Sequence, residues 1–237
     1  MFIKELENAL LNHSIDIAVH SMKDMPAELP EGLTIAAVSE REDPRDALIS
    51  WDGRTLDQLE KQAVVGTSSV RREVQLQQLR PDLVMKTLRG NVPTRINKLE
   101  NREYDAIILA MAGLKRLGLK NKCVQCFDIG QMIPAAGQGA LGVETRKGED
   151  VEYLLESIHD EEAFLAVSAE RAYLLRLNGN CSTPVAAHAV ITGDRMKVHG
   201  FLASEDKAKS CKAWIEGCKY DAASLGEKLA ESILRIR

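Results

Sequence analysis

Between residues 33 and 117, short apolar runs with strand character alternate with amphipathic helical runs. This alternation constrains the fold more than any single motif does. Strand-like stretches at 33–38, 63–67, 83–88 and 106–110 are interleaved with helical periodicity at 56–61, 71–79, 92–99 and 111–117. A chain that switches repeatedly between a period of 2 and one of 3.6 covers its strands with helices, so α/β layers with largely parallel sheets are expected. An amphipathic helix over 2–11, with Phe2, Ile3, Leu6, Leu10 and Leu11 on one face, and a strand over 15–20 come first. Beyond about residue 160 the pattern changes to a long helix ending near Leu177, strand-like runs at 185–192, 196–203 and 210–216, and a terminal helix. That reads as a separate small α+β unit. A chain of 237 residues exceeds the usual domain size of roughly 100–200 residues, so two or three compact units are expected. The polar, proline-containing segment 39–46 suits a hinge between the first two.

The segment Gly66-Thr67-Ser68-Ser69-Val70-Arg71-Arg72 joins an apolar run to a helix start. Free backbone N–H groups, hydroxyls and two guanidiniums converge there, which is an arrangement for binding anions. Further cations follow at Arg89, Arg95 and Arg116, and repeated anchors imply a ligand with several carboxylates or phosphates. Nucleic acid is not that ligand: 31 Lys plus Arg against 35 Asp plus Glu gives 31 − 35 = −4, whereas backbone-tracking proteins carry a basic face. No apolar run approaches the roughly 20 residues of a membrane span and no basic-then-apolar leader opens the chain, so a soluble cytoplasmic protein is expected.

Five cysteines, Cys123, Cys126, Cys181, Cys211 and Cys218, form no even-numbered framework and are expected as thiols. Cys123 and Cys126 lack a second ligand pair, and neither His13 nor His20 offers one, so no metal is expected. Gly137-Gln138-Gly139-Ala140-Leu141-Gly142 matches a dinucleotide-binding string. Its context is wrong, because 141–144 itself reads as a strand where a helix is required.

His20-Ser21-Met22-Lys23-Asp24-Met25-Pro26 stands at the carboxyl end of an apolar strand, where open α/β sheets place ligands. A carboxylate beside a lysine there can donate a proton or stabilise charge. The same residues also read as a surface salt pair next to an ordinary proline turn, which from spacing alone is the plainer account.

These motifs occur together and in order with Arg41-Glu42-Asp43-Pro44-Arg45-Asp46-Ala47, Leu88-Arg89-Gly90-Asn91, Tyr104-Asp105-Ala106-Ile107-Ile108-Leu109-Ala110 and Ala136-Gly137-Gln138-Gly139-Ala140. In this the chain resembles the porphobilinogen deaminase (hydroxymethylbilane synthase) family from Phe2 to the terminal helix. The resemblance implies two α/β domains like those of periplasmic binding proteins plus a small α+β C-terminal domain. It divides the chain into 1–40 with 136–157, 41–135 and 160–237. It also implies condensation of four porphobilinogen molecules into hydroxymethylbilane with loss of ammonia, on the route to haem, by a cytoplasmic monomer.

By the same resemblance, Asp24 is the catalytic carboxylate and a dipyrromethane cofactor is joined by a thioether to Cys181. The matching loop Asn178-Gly179-Asn180-Cys181-Ser182-Thr183-Pro184 departs from the usual Gly-Gly-Cys-Gln-Val-Pro. Lys23, Ser21, Thr67, Ser69, Arg71, Arg72, Arg89, Arg95 and Arg116 are implied to hold the carboxylates of the cofactor and the growing chain. Family members begin with further strands and a Gly-Lys-Gly-Leu-Phe loop, so a truncated first domain with an exposed strand edge is expected, ending short of the family's closing residues. The alternative is a catalytically inactive fragment or polycarboxylate-binding module. A plain solute-binding domain would need neither the loop cysteine nor the Lys23-Asp24 pair.

Overall fold

The structure, a computed structural model, describes residues 2–148, 152–179 and 183–236. The chain opens with helix α1 (Phe2–Leu11) and strands β1 (Ala18–Ser21) and β2 (Leu33–Val38). A central layer follows, built from β3 (Asp46–Ser50), β4 (Val64–Gly66), α2 (Val70–Leu79), β5 (Val84–Lys86), α3 (Val92–Glu100), β6 (Ala106–Ala110), α4 (Met111–Arg116) and β7 (Gln125–Cys126). Strand β8 (Leu141–Arg146) and helices α5 (Glu152–Leu155) and α6 (Glu161–Arg176) come next. The chain closes with β9 (Val185–Thr192), β10 (Arg195–Ala203), β11 (Ser210–Cys218) and α7 (Ala222–Ile236).

These strands form three sheets, ordered β1-β8-β2, β5-β4-β6-β3-β7 and β11-β10-β9. In the first, β8 runs antiparallel to both neighbours, so the chain leaves this sheet after β2 and returns into its middle. In the central sheet β5, β4 and β6 are parallel, whereas β3 and β7 join antiparallel. The largely parallel sheets expected from the alternation are therefore corrected to one antiparallel and one mixed sheet. Periodicity reports which faces of a strand are buried but not its direction. Strand β3 escaped the sequence reading because it opens on Asp46, a charged residue at the end of a polar crossing.

Both faces of the central sheet are covered, which is why β6 is apolar without alternation. Ala106 and Ile108 pack with Leu48, Val65, Leu76 and Phe127, while Ile107 and Leu109 pack on the other side with Ile49, Leu88, Ile96 and Leu114. Fully burying each such side chain stabilises the fold by about 1.5–3 kcal/mol. The run at 56–61 forms only one turn, Leu56–Gln58, closed by a capping box between Thr55 and Gln58. A left-handed residue, Gln62, then turns the chain into β4, so no room remains for a helix.

The third sheet is an antiparallel meander with α6 and α7 on one face around Tyr173, Val198 and Leu229. Its other face is exposed at Trp214 on β11 but is covered elsewhere, where Ala186, Phe201 and Ala203 pack with Val74 of α2 and with Ile133. Helix α6 packs against β9 and also against β2, so it touches the first sheet as well as the third.

Candidate active site

Strand β4 ends in a turn whose shape comes from its own hydroxyls: the Ser69 N–H donates to Thr67 Oγ1 at 3.2 Å, and Thr67 is buried. Helix α2 begins at once, which aims Arg71 and Arg72 from its first turn toward the start of β3. There Asp46 is fully buried. Arg71 Nη1 donates to its Oδ2 at 2.6 Å, Arg72 Nη2 and Nε to its Oδ1 at 2.6 and 3.0 Å, and Gln138 Nε2 to Oδ1 at 2.9 Å. Burial alone would raise the Asp46 carboxyl, but the charges of Arg71 and Arg72 hold it far below the usual carboxylate range.

This changes the role read for the two arginines. Arg71 commits both terminal nitrogens twice, to Asp46, to Ile133 O at 3.0 Å and to Gln138 Oε1 at 3.2 Å. Arg72 commits each terminal nitrogen once, to Asp46 and to Ile108 O, so each keeps a second hydrogen for a ligand. The sequence reading treats both as free anchors; the geometry leaves Arg72 as the one with terminal donors to spare.

A second clasp lies beside it. Glu170 on α6 is fully buried and meets Arg41 in a two-pronged pair, Nη1 to Oε1 at 2.6 Å and Nη2 to Oε2 at 3.0 Å. It also accepts from the Gly137 N–H at 2.6 Å and from the Ala189 N–H on β9 at 2.7 Å. Arg41 and Gly137 belong to the two chain crossings between the first and central sheets, so one carboxylate fastens both crossings to the third sheet.

The glycine string belongs to the return crossing. Gly137 (φ 70°) and Gly139 (φ 96°) are left-handed. A Cβ on Gly137 would stand 2.6 Å from Met22 Cβ, and one on Gly139 would overlap Glu42 O. Only glycine lets this crossing lie so close to the single turn Met22–Asp24, which is held by the Met22 N–H donating to Ala140 O at 3.0 Å.

Asp24 and Lys23 project from that turn into a cleft of about 890 Å³. Ser68, Ser69, Arg71, Arg72 and Arg95 line it from the central layer, and Asn178, Gly179 and Thr183 from the loop between α6 and β9. Asp24 is exposed, and Lys23 is half-buried with no hydrogen bond or ion pair among the described residues. Burial, then the charge of Arg72, pulls the Lys23 ammonium down to about 8. Arg95, half-buried, donates from Nε to Gly90 O at 2.7 Å.

Of the residues singled out from sequence, Lys23, Asp24, Ser69, Arg71, Arg72 and Arg95 thus come together around one cleft. Thr67 stands behind its wall and Ser21 ends β1, while Arg89 and Arg116 are exposed and do not line it. Cys181 lies outside the described residues, although Gly179 and Thr183 on either side of it reach the cleft. Sequence reasoning missed Asp46, Gln138, Glu170 and Glu7. The first three act through partners many positions away, with Asp46 and Arg71 separated by 25 residues. The arrangement offers a solvated carboxylate and a titratable amine on one wall, and spare guanidinium donors on the other.

Two family profiles match the chain: "Porphobilinogen deaminase, dipyromethane cofactor binding domain" over residues 1–153, and "Porphobilinogen deaminase, C-terminal domain" over residues 164–235. Among curated relatives, a porphobilinogen deaminase of Geotalea daltonii is 49% identical, covering 99% of this chain and 74% of its own length. One of Pelotomaculum thermopropionicum is 47% identical, covering 100% and 76%. Solved structures that resemble it include the second substrate binding domain of a putative amino acid ABC transporter from Streptococcus pneumoniae, with TM-score 0.41, 18% identity, and 71% and 74% of the two chains covered. A Salmonella typhimurium periplasmic binding protein gives TM-score 0.38 at 18% identity over 65% and 67%.

Proposed function

Because this chain belongs to the porphobilinogen deaminase family, we propose that its cleft is where porphobilinogen units are held and joined, with Asp24 as the catalytic carboxylate and Cys181 as the cofactor attachment point. The activity of the family is a transferase reaction: four porphobilinogen molecules condense into hydroxymethylbilane with release of ammonia, in tetrapyrrole biosynthesis, on a dipyrromethane cofactor. The observation that carries the site assignment is the convergence of Lys23 and Asp24, of Arg72 and Arg95, and of the loop containing position 181 on one cleft.

The residues present fit the cofactor. Each pyrrole ring bears an acetate and a propionate, and Lys23, Arg72 and Arg95, with the hydroxyls of Ser68 and Ser69, supply cationic and neutral donors for them. When bound, dipyrromethane supplies the pyrrole carbon on which the chain is extended and fixes the product to the protein. Asp24 lies beside the substrate ring, where its carboxylate stabilises positive charge on the pyrrole nitrogen and takes up the proton released at the new bond. In this reading residues 1–40 and 136–157 carry the catalytic carboxylate, 41–135 the cationic wall and 160–237 the attachment loop. The working unit is a cytoplasmic monomer acting on a small molecule. No described helix is long and apolar enough to cross a membrane.

Intact mass under denaturing conditions tests this. The purified chain is expected to exceed its calculated mass by one dipyrromethane, and Cys181→Ser to lose that excess. A chain that stays unmodified after incubation with preformed hydroxymethylbilane would instead be a polycarboxylate-binding protein without a primer.

Lys23 gives a second expectation. Its amine is drawn down to about 8, so it is charged below that pH and neutral above it. A carboxylate ligand favours the charged form, so binding takes up a proton near pH 8 and weakens as the pH rises further. A hydrogen bond to a charged group is worth about 1.5–3 kcal/mol, so affinity for a pyrrole dicarboxylate should fall roughly tenfold or more between pH 7 and 10. Titration calorimetry on Lys23→Met should show that dependence flattened; an unchanged pH profile would remove Lys23 from the binding site.

A further inference from the structure

One charged group in the cleft is unused by the scheme above. Glu7 stands on α1 beside Ile3 and Leu10, is only 6% exposed, and lines the same cleft as Lys23 and Asp24. Its Oε1 has no hydrogen-bond partner. A buried carboxylate oxygen without a donor costs free energy, and native folds satisfy nearly all such atoms, so one on a residue that lines a ligand cleft points to a donor on the ligand. Neither Lys4, exposed on the same helix, nor Lys23 forms an ion pair with it among the described residues. Behind it, Glu144 on β8 faces His20 Nε2 through Oε2 at 3.0 Å and also leaves its Oε1 unpartnered, but Glu144 does not line the cleft.

We propose that Glu7 receives the aminomethyl ammonium of incoming porphobilinogen. The inference rests on the cleft being a porphobilinogen site. That molecule carries an ammonium as well as two carboxylates on neighbouring ring carbons, and the cleft offers both cations and a carboxylate to meet them. Arg72 and Arg95 take the carboxylates; Glu7, at the α1 end, takes the ammonium and thereby gains the donor it lacks. Such a contact separates porphobilinogen from any other pyrrole dicarboxylate, so Glu7 is a specificity residue.

The test measures equilibrium binding of two probes in an Asp24→Asn background, where turnover is slowed enough for the amine to persist during the measurement. One probe is porphobilinogen; the other is the same dicarboxylate with a methyl group in place of the aminomethyl. With Glu7 present, porphobilinogen should bind roughly tenfold or more tightly than the methyl probe. Glu7→Gln should erase that difference and leave affinity for the methyl probe unchanged. A preference that survives Glu7→Gln, or equal weakening of both probes, overturns the assignment. If the methyl probe fails to bind even with Glu7 present, the porphobilinogen cleft itself falls and Glu7 with it, so the two failures are told apart. Thermal denaturation without ligand gives a second readout. Glu7→Gln keeps the shape of a side chain whose Oε1 has no partner in the fold and should melt no lower than its parent, whereas a large drop would mark Glu7 as structural and overturn the proposal.

Discussion

Replacing Asp24 by asparagine should lower porphobilinogen turnover by about 10²–10⁴-fold, the range over which positioned acid–base groups contribute, while the protein stays folded. The structure separates the two effects cleanly. Asp24 is exposed, forms no hydrogen bond or ion pair among the described residues, and ends a turn whose position is set by buried Met22 and by the left-handed Gly137 behind it. An isosteric amide therefore removes the negative charge and the proton acceptor without disturbing any packing. Ammonia release in a single turnover reports the chemistry, and a denaturant midpoint reports the fold. Turnover near the parent level in a folded Asp24→Asn protein would exclude the carboxylate from the reaction.

How much of this was legible in the sequence differs from element to element, for physical reasons. Strand β6 and helices α1, α2, α3 and α4 were readable because each buries one stripe or both faces, and burial imprints a period on the chain. Strand β3 was not, because its first residue is a buried aspartate whose acceptability depends on two arginines 25 and 26 positions later. The same pairing distinguishes two neighbouring arginines. Arg71 and Arg72 look alike in sequence, yet one has its terminal donors fully engaged by the fold and the other keeps hydrogens for a ligand. The strand expected after the glycine string is present as β8, but the task of the string, close approach to the turn bearing Asp24, needs three-dimensional contact to be seen. Glu7 was hidden because a glutamate beside the apolar stripe of a surface helix is ordinary until its oxygen is found buried and unpartnered.

The buried Glu170 is where stability and site architecture meet, and Glu170→Gln should cost about 3–5 kcal/mol of unfolding free energy, as removing one partner of a buried pair does. The amide offers one acceptor oxygen where the carboxylate offers two, so it cannot face Arg41 in two prongs while also serving the Gly137 and Ala189 N–H groups. The Arg41 guanidinium is then left buried without its counter-charge. Proton linkage gives an independent figure. Burial by itself raises the Glu170 carboxyl, but Arg41 and His188 outweigh it and hold the group down to about 2, against an ordinary value of 4.5. At about 1.4 kcal/mol per unit this depression is worth about 3 kcal/mol. The sign follows from the direction: a lowered folded value stabilises the native state above pH 4.5, and that stabilisation is lost as the pH falls toward 2. Denaturant unfolding at pH 7 and pH 3 should therefore show the parent losing stability to acid by more than Glu170→Gln does. Because Arg41 and Gly137 lie on the two crossings and Ala189 on the third sheet, loosening this point should also shift the third sheet relative to Asp24. Turnover in Glu170→Gln should then fall at temperatures where the protein is still folded. Equal acid sensitivity of the two proteins would show that Glu170 is not the carboxylate that holds the crossings together.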